Sequence, residues 1–350
     1  MSSEMDTLRL LEWELTGPPE TDALTSREIA DVFQSVSAFA KPAVVLTGNG
    51  VLARSDLFEI AEAGARSGFE MILDPRTNDL PSDLVRTIAA HAIKSIVVRI
   101  DASSAPVHDE VHGVGDFDMA QATMEFCRQS GLAFSVATTI TRKNLNDLPV
   151  ILDLAIRVNA VGFHPTVPIP EKGEEPKNRL SAKEYEDTLG WIAERRELVP
   201  SWFDYAPTCT PQYYRIVRQQ RTIRIARDAI HERYIHQIDR GCSGGRSSVF
   251  ITAAGTVQTC SSLRIPAGSL RSSGYDFRKI WDESELFQTI RNPASLSGRC
   301  RICEYTNVCG GCRARAYALT GDYRGEEPYC DYDPGSDSEK KSESAAETAG

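Results

Sequence analysis

Residues 300–318 read CRICEYTNVCGGCRARAYA, and the spacing Cys300-x2-Cys303-x5-Cys309-x2-Cys312 is the most informative pattern in the chain. Outward from it, Cys330 follows while Cys242 and Cys260 precede, so seven of the nine cysteines fall between residues 242 and 330. Soft thiolates this closely spaced read as metal ligands rather than disulfides, since the chain opens Met1-Ser-Ser-Glu-Met-Asp with no basic or apolar leader. Four thiolates complete one cubane, so seven is one short of two sets. The count predicts two [4Fe–4S] clusters, one of them with an iron that lacks a cysteine. A zinc-stapled binding module is the alternative. Zinc ribbons commonly separate their knuckles by more than about a dozen residues, whereas only 304–308 lie between the inner pair here. Zinc would also leave Cys242, Cys260 and Cys330 without a use. The other two cysteines read as structural: Cys127 as a small core hydrophobe in a helix over 119–130, and Cys209 as a lone thiol before Pro211-Gln-Tyr-Tyr-Arg, with a ligand role as its lesser alternative.

The rest of the composition bounds the function. A chain of 350 residues with 41% hydrophobic and 25% charged content holds one large domain with an appended module, or two domains. The net charge of −10 excludes nonspecific nucleic-acid binding, which needs a basic surface. No apolar run is long enough to span a bilayer, and a cytoplasmic location is expected.

Between residues 8 and 200, apolar strands alternate with amphipathic helical stretches. Strands are predicted at 8–16, 43–48, 70–74, 95–101, 133–140 and 160–167, with helices near 26–40, 55–68, 81–92, 116–131 and 144–158. That alternation implies βαβ units and a parallel sheet. Six units followed by a helix at 181–198, opened by a Ser181/Glu184 capping box, fit a partial (β/α)6 TIM-like barrel; a flat doubly wound sheet gives nearly the same pattern. Functional groups then belong at the C-terminal ends of the strands. Residues 201–240 read as a helical connector, 241–333 as the cysteine module with a hairpin about Ala254-Gly255, and 334–350, rich in Ser, Glu and Ala, as a disordered tail.

Together these features resemble the radical SAM enzymes that carry a C-terminal SPASM domain, above all their haem-synthase branch. The resemblance covers residues 8–333 and is most specific at 300–318 and at 208–217, TCTPQYYRIV. It implies that Cys242, Cys260 and Cys312 hold a first auxiliary cluster and that Cys300, Cys303, Cys309 and Cys330 hold a second. Some relatives place an eighth cysteine shortly after the first; here that neighbourhood is Arg246-Ser247-Ser248. The resemblance therefore leaves one iron of the first cluster open to water, to Ser248 or to a ligand.

The same resemblance breaks at its defining feature. These enzymes carry a CxxxCxxC loop after the first strand, holding the cluster that cleaves S-adenosylmethionine. Here that strand leads into Gly17-Pro-Pro-Glu-Thr-Asp-Ala-Leu-Thr25, and no cysteine precedes Cys127. The GGE segment after the second strand, whose carboxylate helps hold the methionine amine, appears as Gly48-Asn49-Gly50. Two separated losses serving one ligand identify a pseudo-radical-SAM/SPASM protein in which SAM is not expected as a cofactor.

Further candidates are His164 near the end of the sixth strand, and Arg313 and Arg315 beside Cys312, as contacts for substrate or cluster. His108 and His112 form an i,i+4 pair, in a segment (102–115) that reads as a solvated loop. The leading expectation is an iron–sulfur protein that does not cleave SAM. It would pass electrons to, or hold a tetrapyrrole or peptide for, an intact radical SAM paralogue, with haem or tetrapyrrole biosynthesis as the inherited pathway. A SAM-independent enzyme using the open iron is the second expectation.

Overall fold

A computed structural model describes residues 7–18, 22–170, 179–220 and 241–335. The connector beyond residue 220 and the tail beyond residue 335 lie outside the described residues.

Six strands run parallel in chain order: β1 (Leu10–Glu14), β2 (Ala43–Thr47), β3 (Glu70–Leu73), β4 (Ile93–Arg99), β5 (Ala133–Thr139) and β6 (Gly162–Thr166). A short β7 (Asp204–Tyr205) extends the sheet beyond β6. The helices between them are α1 (Ser26–Ser37), α2 (Leu57–Arg66), α3 (Ser82–Ala90), α4 (Ala105–His112), α5 (Asp116–Ser130) and α6 (Leu148–Arg157). The unbroken order β1-β2-β3-β4-β5-β6 has no reversal point, whereas a doubly wound sheet must contain one. The faces agree. On β1, Leu11 and Trp13 are fully buried, and Trp13 meets Phe33 of α1 edge-on at 5.5 Å. The alternate residues Glu12 and Glu14 lie on the other face and are only partly covered. A doubly wound sheet would be apolar on both faces; this one has a helix-covered outside and a polar concave inside, as a partial barrel does.

Local signals account for the boundaries. Thr25 and Ser181 each form the reciprocal capping box with the glutamate three residues on, at the starts of α1 and of α7 (Ala182–Arg195). Gly131 ends α5 in the left-handed conformation. One expectation fails: residues 105–112 are helix, not solvated loop. Ser104 and Pro106 start that helix, and it buries His108 completely.

After α8 (Gln212–Gln220), the C-terminal region re-enters the same sheet. Strand β8 (Ser248–Ile251) lies parallel to β1, in register Leu10↔Ser248, and turns back through β9 (Thr256–Gln258) to β10 (Gly268–Ser269). Helices α9 (Phe277–Glu283) and α10 (Glu285–Arg291) follow, then α11 (Gly298–Ile302) and α12 (Arg313–Thr320). Phe277, Trp281 and Phe287 join the apolar core of the barrel, with Phe277 stacked on Phe39 at 6.2 Å. The cysteine-bearing segments are thus carried on the edge of the barrel sheet beside β1. No helix among the described residues is long and apolar enough to cross a membrane.

Candidate iron–sulfur centres

The Cys309-Gly310-Gly311-Cys312 turn shapes the module. Gly310 and Gly311 are consecutive residues at positive φ, 65° and 67°, which L side chains rarely adopt. A Cβ on Gly311 would also lie 2.4 Å from an Arg313 nitrogen and 3.3 Å from Cys300 Sγ. This turn sends Cys309 and Cys312 to different places. Cys309, Cys300, Cys303 and Cys330 line one cavity, walled also by Arg215 and Tyr332. Backbone N–H groups point at these sulfurs: Tyr305 donates to Cys303 Sγ at 3.4 Å, Gly311 to Cys309 Sγ at 3.4 Å and Glu327 to Cys300 Sγ at 3.4 Å. Arg313 adds a longer contact from Nη2 to Cys300 Sγ, 3.7 Å. Burial pushes the Cys303 thiol up to about 11 and raises Cys309 and Cys330, while the Arg215 guanidinium pulls these last two back toward the thiolate.

Cys312 faces the other way, at the N-cap of α12. Its N–H donates to Glu327 Oε2 at 2.8 Å. Burial pushes its thiol up to about 11, Arg315 draws it down, and the neighbouring Cys242 thiol raises it. Cys260, pushed by burial up to about 12, responds to Cys242 and Cys312, and its Sγ accepts the Leu263 N–H at 3.3 Å. These three thiols form the second grouping. Cys209 is tied to Cys312 through Arg315 and Glu327, which bond its carbonyl and the Cys312 N–H. Burial raises its thiol far above the ordinary value, and Cys312, Cys260 and Cys242 push it the same way. The residue as a whole is exposed.

The donor set suits a cluster. Buried thiols resist ionisation unless a cation faces them, and a coordinated metal deprotonates them outright. N–H donors aimed at sulfur are also the means by which a protein tunes such a cluster. Tetrahedral zinc, with sulfurs about 2.3 Å away, needs them roughly 3.8 Å from one another. Among the described residues, the only trio of His, Cys, Asp or Glu ligand atoms within 4.8 Å of one another is His108, His112 and Asp116; no three thiols come so close.

The remaining candidates have other partners. Ser248 donates its hydroxyl to Ser243 Oγ at 2.8 Å. Arg315 is completely buried. It pairs with Glu327 Oε2 at 3.1 Å, donates to the Cys209 carbonyl at 3.1 Å, and lies over the rings of Tyr185 and Tyr329 at 5.0 and 4.9 Å. Arg313 is committed to the carbonyls of Gly311, Tyr323 and Gly325 as well as to Cys300. Both arginines therefore brace the thiol groupings from within. His164 projects from β6 with Nε2 3.8 Å from Asp204 Oδ2, and burial lowers its pKa. His108 accepts the Asp101 N–H on Nδ1 (3.1 Å), so Nε2 carries the proton and donates to Asp116 (2.8 Å). His112 Nε2 meets Asp101 Oδ2 at 2.8 Å, which raises its pKa.

At the barrel mouth, Gly48 (φ 132°) and Gly50 (φ 73°) bracket a turn at the end of β2, and Thr16 donates to the Asn49 carbonyl at 2.9 Å. Across from it, the Arg54 guanidinium donates to the Leu15 carbonyl (2.7 Å) and the Leu24 carbonyl (2.6 Å) and pairs with Asp56 (2.6 Å). Arg54 thus ties together the two ends of the segment between β1 and α1. On the concave face, Arg99 grips Asp74 through both nitrogens at 2.6 and 2.7 Å, and Arg76 adds a contact at 3.4 Å. Burial beside this group pushes Glu12 up to about 7. Sequence reading missed Arg54, Glu12 and Glu327, ordinary charged residues whose partners are distant in the chain.

Residues 242–313 match the SPASM "Iron-sulfur cluster-binding domain". An "AdoMet-dependent heme synthase" of Methanosarcina barkeri is 34% identical over 343 residues, 93% of this chain and 97% of that protein. One of the same name from Nitratidesulfovibrio vulgaris is 30% identical, covering 94% of this chain and 93% of the relative. Among solved structures, Streptococcus suis SuiB bound to S-adenosylmethionine superposes with a TM-score of 0.71 over 93% of this chain and 78% of its own, at 12% identity. The enzyme anSMEcpe with bound AdoMet gives 0.64 over 92% of this chain and 94% of its own, at 13% identity. At those identities the structures speak for the fold, and the fold is that of a radical SAM barrel with its SPASM extension. With the two relatives of 30% identity or more spanning nearly its whole length, the chain belongs to the radical SAM/SPASM family, on the branch of the AdoMet-dependent heme synthases.

Proposed function

We propose that this protein is an iron–sulfur protein on a degenerate radical SAM scaffold. It would hold two auxiliary [4Fe–4S] clusters and would not cleave S-adenosylmethionine. The observation that carries this reading is an asymmetry. Seven of the nine cysteines fall between residues 242 and 330, four of them lining one cavity, while the end of β1, where the family's SAM-cleaving cluster would sit, has no cysteine. Arg54 clamps that segment, and Gly50 stands in place of the methionine-binding glutamate. In this division of labour, residues 1–200 are the degenerate barrel and 241–333 the redox-active part.

Cys300, Cys303, Cys309 and Cys330 would hold one cluster, and Cys242, Cys260 and Cys312 would hold the other. When bound, each supplies one-electron transfer. The protein's own contribution is to desolvate the sulfurs, aim N–H groups at them and brace them with Arg313 and Arg315. Its partner would be an intact radical SAM paralogue, to which it passes electrons or presents a substrate held against the polar concave face. The name of the M. barkeri relative points to haem or another tetrapyrrole as that substrate class.

The test is reconstitution with iron and sulfide, followed by assay of 5′-deoxyadenosine formation from S-adenosylmethionine under reducing conditions. Background-level product is expected. Multiple-turnover cleavage would overturn the proposal.

A further inference from the structure

We infer that Cys209 is the fourth thiolate of the first cluster, so that every iron of both clusters is held by cysteine. This rests on the two-cluster reading above and goes beyond it, because that reading left one iron open. The backbone places the residue. Thr208 donates to the Pro165 carbonyl at 2.9 Å and forms a parallel bridge with Thr166, carrying the chain past the mouth end of β6. Cys209 then turns with φ of 56°. A non-glycine residue there costs about 1–2 kcal/mol and persists only where its surroundings dictate the conformation. Here they do: the Arg315 guanidinium holds the Cys209 carbonyl at 3.1 Å and Glu327 at 3.1 Å, and Glu327 in turn accepts the Cys312 N–H at 2.8 Å. One buried arginine and one buried glutamate therefore lock Cys209 to Cys312, a ligand of the first cluster in the reading above.

The competing oxygen ligand is poorly placed. Ser248 is set in the sheet ladder opposite Leu10, with its hydroxyl spent on Ser243. With Cys209 in place, no iron has an exchangeable position, and the cluster acts by accepting and returning electrons rather than by binding a small molecule.

The test uses the full-length, anaerobically reconstituted protein, with cyanide as a probe for an open iron. In the wild type we expect about eight irons per chain and an electron paramagnetic resonance spectrum of the reduced clusters that millimolar cyanide leaves unchanged. Cys209→Ala should lose about one iron from one cluster on mild oxidation, giving a three-iron signal, and should respond to cyanide while it still holds four irons in that cluster. Cys209→Ser, which keeps a weaker ligand, should fall between. A wild-type spectrum shifted by cyanide overturns the assignment without any variant, as does a Cys209→Ala protein indistinguishable from wild type. Either result leaves the two-cluster reading standing. That reading fails separately, together with this inference, if the wild type holds fewer than two clusters.

Discussion

Arg315 and Glu327 form an ion pair at 3.1 Å in which neither side chain has any exposed surface. The pair sits between the two thiol groupings. Glu327 takes the N–H of Cys312 and offers its own N–H to Cys300, while Arg315 holds the Cys209 carbonyl. Removing one member of such a pair leaves an uncompensated buried charge, which costs about 3–5 kcal/mol. Glu327→Gln is therefore expected to be destabilising by that order in chemical denaturation and to lose iron from the first cluster before the second. Replacement of both residues by apolar groups should cost less than the single change, since no orphan charge remains.

Arg54 tests the closed end of β1. Its three contacts are charge-assisted and only partly exposed to water, each worth about 1–2 kcal/mol. Arg54→Ala should lower the thermal midpoint by several degrees, roughly the shift expected for a loss of 2–3 kcal/mol in a chain of this size. Arg54→Lys should rescue little, because a single ammonium lacks the planar fork that reaches two carbonyls and Asp56 together. A lysine variant as stable as the parent would contradict the clamp.

Glu12 gives the barrel a pH dependence of definite sign. Burial beside the Asp74–Arg99 pair pushes its carboxyl from 4.5 up to about 7. Between those values the folded protein holds a proton that the unfolded chain releases. The contribution is fully present below about pH 4.5, shrinks as pH rises, and is lost above about pH 7. Glu12→Gln, always neutral, should abolish that slope and stabilise the protein near pH 8 by on the order of 2 kcal/mol. Unfolding curves at several pH values check it; parallel wild-type and variant profiles would refute the assignment.

The barrel was legible because its signals are local and periodic. The Ser181 capping box and all six βα units follow from alternation and from residues three apart. The sheet order then settled what alternation leaves open, partial barrel against doubly wound sheet. The cysteine spacing likewise announced the module. What escaped was non-local. The insertion of β8 beside β1 joins residues about 240 positions apart, and the helix at 105–112 was hidden by its polar composition. Cys209 looked solitary because the thiols proposed as its partners begin 33 residues later, across the connector. Of Arg313 and Arg315, expected as contacts of a substrate or cluster, Arg313 reaches the Cys300 sulfur at 3.7 Å besides three carbonyls, while Arg315 is used on Glu327 and the Cys209 carbonyl.

The central claim is that redox chemistry survives in the C-terminal region and has been lost from the mouth of the barrel. Iron and sulfide analysis of the anaerobically reconstituted full-length protein tests it most directly. The account predicts about eight irons and eight sulfides per chain, two cubanes and no more. About twelve irons would reveal a third, SAM-type cluster, and stoichiometric zinc in a colourless protein would remove the clusters altogether; either result would contradict the account.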